Sequence, residues 1–381
     1  MFAPPGPRAK HMADERGDER EEDVEGFKER QHFASVLRAF DYYERWASAR
    51  LSRVEADFRR LSPAHQQLLR IDAKVKALRA AVRQNAEVLA LIVGPHRAHI
   101  GAIEEQAGLM PAGRPLESDM EKLQSTIKQF VREWSAEGAA EREAAQAPLL
   151  AALERALPGG AVRGARVLVP GAGLGRLAWE VARRGFTSQA SEFSYFMLIA
   201  SNFVLNSLQP HGSVNVHPWV LQTCNCKTYE DQARACAVPD VDPWSLDAAA
   251  RLSMCAGDFV EVYREQQSQW EAVLSMFFID TAHNIVEYIR LFRQILVPGG
   301  AWVNLGPLLW HYTDTPDEVS VDLTWAEVRA LIIDAGFVIE HESWHRCPYV
   351  RNVRSMYLME YDCICFVARW PGPVSEAPDV A

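Results

Sequence analysis

Three glycines at alternate positions have the spacing of a ligand-binding turn. Gly171, Gly173 and Gly175 follow a β-branched run that ends at Pro170, and an amphipathic helical pattern begins directly after them. Glycine permits a tight strand-to-helix turn and lets a ligand approach where a Cβ would collide. We expect the N–H groups at the start of the helix to be free to donate hydrogen bonds to a polar ligand. The stretch therefore predicts a nucleotide-type binding loop, with a purely structural turn as the alternative.

The spacing of these glycines favours S-adenosylmethionine over a nicotinamide dinucleotide. The dinucleotide fingerprint is G-x-G-x-x-G, in which the third glycine stands three residues after the second. Here Gly175 comes two residues after Gly173, and Leu177 is not small. A nicotinamide-dependent oxidoreductase is therefore the less favoured alternative.

Acidic residues end the next two predicted strands, where a nucleoside would need hydrogen-bond acceptors. Glu192 ends the segment GFTSQASE, and its carboxylate can accept from both ribose hydroxyls. Asp258 and Phe259 end the segment LSMCAGDF, where the carboxylate can accept from the adenine amine and the ring can lie against the base. Because ligands bind at the carboxyl ends of parallel strands, we expect these residues to meet the glycine loop. The alternatives are a solvated strand end for Glu192 and a turn-forming role for Asp258.

A third acidic residue, Asp280, ends the almost wholly apolar predicted strand WEAVLSMFFID. Burying a carboxylate there is costly unless it has a partner. We expect it to contact a substrate at the carboxyl edge of the sheet, and the alternative is a cap for the helix that begins near His283. His311 ends the next apolar stretch and Tyr361 begins the last predicted strand, although lone residues of these types are more often structural.

The elements that must position these residues change character at about residue 160. From Phe33 to Trp134 apolar residues recur at helical spacing, with no convincing strand. Beyond residue 160, short apolar runs alternate with helical segments, which predicts a parallel sheet with crossover helices. The predicted divisions are a disordered acidic segment over residues 1–30, a helical region over 31–150, an α/β domain over 151–372 and a flexible tail over 373–381.

Composition indicates which partners the protein does not bind and in which cellular compartment it works. The formal net charge of −10 disfavours general binding to nucleic acid or to anionic membranes. No apolar run is long enough to span a bilayer, and the N-terminus lacks the apolar core of a secretory signal. The seven cysteines then indicate reduced thiols in the cytoplasm or nucleus. Cys224, Cys226 and His217 lack the spacing of a zinc knuckle, so we predict no metal site.

The chain resembles the carnosine N-methyltransferase family, which methylates the histidine ring of carnosine (β-alanyl-L-histidine) to give anserine. The matching segments, spread over residues 32–370, include HFASVLRAFDYY, LQSTIKQFVREWS, VLVPGAGLGRLAWE, SEFSYFML, MCAGDF, FFIDTAHN, NLGPLLWH and RSMYLMEYDC. FFIDTAHN and GPLLWH are far more specific than the glycines. The resemblance implies an α/β fold with a Rossmann-like class I methyltransferase sheet, an added all-helical N-terminal region, and S-adenosyl-L-methionine as the cofactor.

The resemblance also assigns site residues. It implies that the cofactor is contacted by Gln129, Arg132, Gly171, Glu192, Asp258, Phe259 and the backbone of Met276. It implies that the substrate is contacted by Asp280, His311, Tyr349 and Tyr361. A group that accepts the imidazole N–H would fix the tautomer and offset the positive charge that develops on the ring. Asp280 is the first candidate for this catalytic role, with a tyrosine or His311 as the alternative.

Other functions stay open on the sequence alone. One is a methyltransferase that acts on histidine within a protein or a longer peptide. Another is a non-catalytic scaffold that binds S-adenosylmethionine and works through partners. The segments Val220–Ala237 and Tyr357–Tyr361 diverge from the family pattern, and only Tyr361 of the second aligns cleanly. The sequence does not determine the oligomeric state, for which a homodimer is one candidate, nor which ring nitrogen receives the methyl group.

Overall fold

The structure is a computed structural model that describes residues 8–69, 71–97 and 114–373. The described residues form two compact units, one up to Gln124 and the other from Ser125 onward. The sequence places this division near residue 150, where the helical pattern ends. A helical period identifies a helix but does not show which core the helix packs against, and this explains the difference.

The first unit is helical, as the periodicity predicts. Its helices are α1 (Arg8–Arg59), α2 (Pro63–Leu69), α3 (Asp72–Val93) and the first turns of α4 (Glu117–Trp134), with a 3₁₀ turn at Gly94–His96. α1 packs against α3, and both helices bury apolar residues that the periodicity singles out, such as Phe40 and Val82. The Tyr43 hydroxyl accepts a hydrogen bond from the Asn85 amide at 2.9 Å, so both polar groups are satisfied in this core.

The start of α1 differs from the sequence prediction. Residues 1–30 are predicted to be disordered, whereas α1 begins at Arg8; residues 1–7 lie outside the described residues. The segment has few apolar residues but is rich in glutamate and arginine, which have high intrinsic helix propensity. A packed helix can be extended by such residues without a new nucleation cost. The predicted tail from residue 373 lies almost wholly outside the described residues.

The second unit is built around a β-sheet. Its strands are β1 (Arg166–Pro170), β2 (Thr187–Glu192), β3 (Val214–Val216), β4 (Cys236–Val238), β5 (Arg251–Ala256), β6 (Trp270–Met276), β7 (Leu296–Gly306), β8 (Val338–Pro348) and β9 (Glu360–Arg369). Seven of them form one sheet in the order β5-β2-β1-β6-β7-β9-β8, and β3 and β4 pair separately. The first five strands of that order are parallel, whereas β9 runs antiparallel to both β7 and β8.

The second unit also contains helices. They are the rest of α4, α5 (Ala139–Ala156), α6 (Gly160–Arg163), α7 (Arg176–Arg183), α8 (Tyr195–Asn202), α9 (Tyr229–Ala233), α10 (Phe259–Tyr263), α11 (Ile285–Ile295) and α12 (Trp325–Asp334). The predicted Rossmann-like class I methyltransferase sheet with an added N-terminal helical region is confirmed. The strand order reverses between β1 and β6, where ligands of open parallel sheets bind. Within the described ranges, no helix is long and apolar enough to cross a membrane.

Both faces of the sheet are buried. Val303 of β7 belongs to a core that includes Leu149 and Leu153 of α5, while its neighbour Trp302 belongs to the core on the other face with Phe292 of α11. Burial on both faces explains why these strands appear in the sequence as continuous apolar runs rather than as alternating ones. It also shows that α5, predicted as part of the N-terminal region, packs on the sheet.

Candidate functional site

Two adjoining cavities open where the strand order reverses between β1 and β6. The larger has a volume of about 440 Å³ and the smaller of about 140 Å³, and both are lined by Gly171, Glu192 and Phe277. Most of the predicted cofactor residues complete these walls: Asp258 and Phe259 in the larger cavity, and Gln129, Arg132, Gly173 and Met276 in the smaller. Gly175 lines neither cavity.

A more voluminous depression, of about 1000 Å³, lies in the first unit. Its walls carry mainly charged and polar helix residues, among them Arg59, Gln66 and Lys76, and none of the predicted site residues. Convergent polar groups at a strand-order reversal are a better sign of a ligand site than volume alone. The two cavities at the sheet edge are therefore the candidate site.

The glycine loop needs glycine at each of its three positions. Gly171, Gly173 and Gly175 have φ angles of 62°, 57° and 81°, in the left-handed region that side chains disfavour. A Cβ on Gly171 would lie 2.5 Å from Cδ2 of Phe278, and one on Gly173 would lie 2.5 Å from Oε1 of Glu133. The loop is therefore held in close contact with its neighbours, which is more than a simple turn requires.

The prediction that the N–H groups at the start of α7 are free is wrong for Arg176, the first residue of the helix. Glu133 of α4 lies against them, with Oε1 accepting from Leu174 N at 3.1 Å and Oε2 accepting from Arg176 N at 3.2 Å. Gly173 N donates to Oε2 of Glu192 at 2.9 Å. Two carboxylates thus take the N–H groups of Gly173, Leu174 and Arg176, and these three donors are not available to a ligand.

Glu192 is a buried carboxylate rather than a solvated strand end. Its Oε1 accepts from the backbone N–H groups of Phe193 and Ser194 at 3.0 and 2.9 Å, and its Oε2 accepts from Gly173. Burial raises the pKa of Glu192, and these three N–H groups act in the opposite direction. A carboxylate has about four acceptor directions, so one remains, on Oε2. The structure therefore offers one acceptor to a ribose, and not the two that the sequence suggests.

Asp258 uses only one of its two carboxylate oxygens to form the turn that begins α10. Its Oδ1 accepts from Val260 N at 2.8 Å and from Glu261 N at 3.1 Å, so it caps α10. Its Oδ2 has no hydrogen-bond partner within the described ranges, and the side chain lies at the wall of the larger cavity. One oxygen thus holds the helix while the other can accept from an amine.

Aromatic side chains form much of the larger cavity. Phe259 is only 5% exposed, and its ring packs on those of Tyr263 and Phe278 at centroid distances of 5.3 and 5.4 Å. The rings of His283 and Tyr312, which also line this cavity, stack at 3.6 Å. The sequence pattern places His283 only near the start of a helix and gives no signal for Tyr312.

Arg132 lies between two aromatic rings at the smaller cavity. Its guanidinium carbon is 4.5 Å from the ring centre of Tyr349 and 5.0 Å from that of Phe277. Its Nη1 donates a long hydrogen bond of 3.5 Å to Gln129. The structure thus brings Tyr349 to the same wall as Gln129 and Arg132, which lie more than two hundred residues earlier in the sequence.

Glu141, which the sequence analysis misses, connects Arg132 to the segment that carries Tyr349. Its Oε1 lies 2.9 Å from Nε of Arg132, and both side chains are largely buried. The same carboxylate accepts from the N–H groups of Val350 and Arg351, each at 2.8 Å. One buried charge therefore fixes both the guanidinium and the loop that begins after β8.

Asp280 is 1% exposed and lies in the 3₁₀ turn Ile279–Thr281 that follows β6. Its Oδ2 accepts from Leu309 N at 2.9 Å, whereas its Oδ1 has no partner within the described residues. It does not cap α11, because Asn284 does so by accepting from Val286 N at 3.1 Å. Burial raises the pKa of Asp280, and the Leu309 N–H and the charge of His311 act against this.

Of the other predicted substrate residues, His311 contacts Asp280 and Tyr361 lies within range of its charge, while Tyr349 packs near Tyr361. The backbone N–H and Nδ1 of His311 lie 3.0 and 3.1 Å from the carbonyl oxygen of Asp280. The rings of Tyr349 and Tyr361 lie 6.1 Å apart, and Phe277 touches both. Burial raises the pKa of Tyr361, and the neighbouring Tyr349 and Asp280 add to this.

Two aromatic residues of the site have strained backbones. Phe277 and Trp310 have φ angles of 52° and 43°, which residues with bulky side chains rarely adopt. Such strain concentrates at functional sites. Phe277 follows β6 at the cavities, and Trp310 lies between Leu309 and His311, the two residues that contact Asp280. Asp280 itself lines neither cavity, although its neighbours Phe278 and Thr281 line the larger.

Comparison with known proteins identifies the family. The family model described as carnosine N-methyltransferase matches residues 112–372. The chain is 40% identical over 377 residues to carnosine N-methyltransferase of Mus musculus, covering 97% of this chain and 91% of the relative. The chain belongs to the carnosine N-methyltransferase family. It is also 36% identical over 368 residues to carnosine N-methyltransferase unmet of Drosophila melanogaster, covering 90% and 80% of the two chains.

Membership of the carnosine N-methyltransferase family confirms the resemblance found in the sequence. The matched range includes Gln129 and Arg132 as well as the sheet, so the helix α4 belongs to the family's own domain. Among solved structures, a putative sarcosine dimethylglycine methyltransferase from Galdieria sulphuraria aligns with a TM-score of 0.35 and 14% identity, over 52% of this chain and 63% of that chain.

Proposed function

We propose that this protein transfers a methyl group from S-adenosyl-L-methionine to the imidazole ring of carnosine, giving anserine, and that it accepts related histidine dipeptides. The observation that carries the proposal is the buried Oδ1 of Asp280, which has no partner within the described residues and lies next to a nucleoside-sized cavity. Family membership supports the same reaction.

The cavity residues suit S-adenosylmethionine. The free acceptor direction on Glu192 Oε2 fits a ribose hydroxyl, and Oδ2 of Asp258 fits the adenine amine. The Arg132 guanidinium at the smaller cavity fits the carboxylate of the methionine end. The positive φ angles of Gly171 and Gly173 let the backbone approach the ligand closely. When bound, S-adenosylmethionine supplies a methyl group that its sulfonium has already activated for displacement.

The protein must then align the imidazole nitrogen of the substrate with the methyl group of the donor. A neutral imidazole has one bare nitrogen and one N–H. Asp280 accepts the N–H through Oδ1, which turns the bare nitrogen toward the donor and balances the charge that the ring gains as the new N–C bond forms. The methylated ring then loses its N–H proton to Asp280 or to water. Because Oδ1 is covered, the side chains around Asp280 must move for the substrate to reach it.

The rate is expected to rise with pH below neutrality. The substrate imidazole must be neutral, and its ordinary pKa is about 6.5. The raised pKa of Asp280 means that its carboxylate also forms as pH rises. Both ionisations increase kcat/KM as the pH rises. Initial rates from about pH 5 to about pH 9 check this. A rate that falls between about pH 6 and pH 8 would contradict it.

Glu141→Gln is expected to raise the KM for both S-adenosylmethionine and carnosine by roughly tenfold. The glutamine amide carries no charge to hold Arg132. It also offers only one acceptor oxygen to the two loop N–H groups. Steady-state kinetics with each substrate varied in turn measures the effect. Glu143→Gln, an exposed charge removed from the same helix, is the control. A lower melting temperature with both KM values unchanged would make Glu141 purely structural.

A panel of possible methyl acceptors tests which substrate the protein methylates. Purified protein and methyl-labelled S-adenosylmethionine are incubated with carnosine, other histidine dipeptides, free histidine and protein extract. The expected product is carnosine that carries one methyl group on the ring, identified by mass spectrometry with fragmentation. Label that enters only protein would replace the proposal with a protein-histidine methyltransferase, and no transfer to any acceptor would favour a binding scaffold.

We further propose that the protein works in the cytoplasm or nucleus, where it acts on a small dipeptide and binds neither nucleic acid nor membrane. We also propose that it forms a homodimer. The seven cysteines are free thiols, which suits a reducing compartment. Cell fractionation and light scattering of the purified protein test the two parts separately.

A further inference from the structure

Glu133 presents a buried carboxylate to the smaller cavity that none of the predicted roles uses. The residue is 8% exposed and lines this cavity together with Gln129, Arg132 and Gly171. Each of its carboxylate oxygens accepts one backbone N–H, from Leu174 or Arg176. About two acceptor directions therefore remain for a ligand.

The charges around this cavity do not balance. Glu133 and Glu192 both line it, and Arg132 is the positive side chain among its walls. The Arg132 guanidinium is already paired with Glu141. Burial raises the pKa of Glu133; the charge of Glu192 adds to this, while Arg132 and the two N–H donors oppose it. A buried carboxylate without full compensation is stabilised by a cation.

Nearby arginines do not supply that cation to the Glu133 carboxylate. Nη1 of Arg176 donates to the backbone carbonyl of Glu133 at 3.0 Å, and the same side chain pairs with Asp240 and Glu180. Arg142 pairs with Asp240 and donates to backbone carbonyls at the end of α4. The negative charge that faces the cavity is therefore left for a ligand.

We propose that Glu133 binds the α-ammonium group of the donor, beside Arg132, which takes the α-carboxylate. The assignment rests on the proposed function, and it specifies which chemical group of the donor each side chain recognises. An α-amino acid carries one positive and one negative group on the same carbon, and consecutive residues of α4 offer the matching pair. β1 itself supplies no carboxylate to this cavity.

The test measures the affinity of four ligands by calorimetry. S-adenosylhomocysteine has both groups, its decarboxylated analogue has only the ammonium, its deaminated analogue has only the carboxylate, and methylthioadenosine has neither. Glu133→Gln is expected to weaken the two ammonium ligands at least tenfold and the other two less than twofold. Glu143→Gln, which removes an exposed charge, should leave all four affinities unchanged.

The outcomes separate this assignment from the proposed function. An equal loss of affinity for all four ligands would mean that Glu133 only holds the glycine loop. No loss for any ligand would mean that Glu133 does not bind the donor. Either result overturns the assignment of Glu133 and leaves the proposed function standing. A wild-type protein that binds none of the ligands overturns the proposed function as well. If Glu133→Gln does not fold, Glu133→Asp keeps the charge and should still favour the ammonium ligands; loss of that preference overturns the assignment.

Discussion

Asp280→Asn is expected to lower kcat by about 10²- to 10⁴-fold while the affinity for S-adenosylmethionine stays within about twofold. Asparagine has nearly the same shape and can still accept from Leu309 N. It cannot carry the negative charge that balances the methylated ring, and its amide can present a donor where the imidazole N–H needs an acceptor. Single-turnover kinetics at saturating donor, with calorimetry for donor affinity, measures both quantities.

Two comparisons make this prediction specific. Asp334→Asn changes an exposed residue at the end of α12 and should leave kcat unchanged. Asp280→Ala should lose turnover to at least the same extent as Asp280→Asn, because it removes the acceptor altogether. Wild-type turnover in either Asp280 variant would remove this residue from the chemistry and would direct attention to His311 or Tyr361.

Glu192→Ala is expected to weaken S-adenosylmethionine binding by about 10- to 100-fold, with a smaller effect on kcat at saturating donor. The substitution removes the acceptor for the ribose. It also leaves the N–H groups of Gly173, Phe193 and Ser194 without their partner, so the loop is no longer held in its conformation. Calorimetry with S-adenosylhomocysteine measures the loss without turnover.

Glu192→Gln separates the two causes. Its amide oxygen can still accept from part of the loop, but the group carries no charge. We expect an intermediate loss of affinity. Unchanged donor affinity in Glu192→Ala would refute the assignment of this residue to the cofactor, and an equal loss for Glu192→Gln and Glu192→Ala would show that the charge alone matters.

The elements of the sheet could be predicted because their signals are local. Continuous apolar runs such as ARVLVP and AWVNLGP are typical of strands buried on both faces, and the structure contains them as β1 and part of β7. The glycine loop could be predicted from the spacing of its glycines. The structure explains this spacing, because the positive φ angles and close neighbours of Gly171 and Gly173 leave no room for a side chain. Asp280 stood out because a carboxylate at the end of an apolar strand is costly to bury.

Glu133 and Glu141 were missed because burial of a charged helical residue depends on partners that are distant in the sequence. Glu133 contacts a turn about forty residues away, and Glu141 contacts a loop more than two hundred residues away. A weak signal existed for Glu133, since it stands three residues after the buried Phe130 and therefore shares its helix face. The prediction of a free N–H group at Arg176, the first residue of α7, was wrong for the same reason.

The choice of helix cap likewise depended on geometry that the sequence does not contain. Asp280 and Asn284 both precede α11, and both residue types are common caps. In the structure Asn284 has the extended backbone of a cap and accepts from Val286 N, while Asp280 lies in a separate 3₁₀ turn. The Asp280 carboxylate therefore does not cap α11, and its Oδ1 has no partner within the described residues.

A crystal structure with S-adenosylhomocysteine and carnosine bound would test the position of Asp280 most directly. It should show Oδ1 within about 3 Å of one imidazole nitrogen, with the other nitrogen facing the sulfur across the cavity edge. An imidazole whose N–H is held by another group, with the Asp280 carboxylate still covered by protein, would contradict the mechanism.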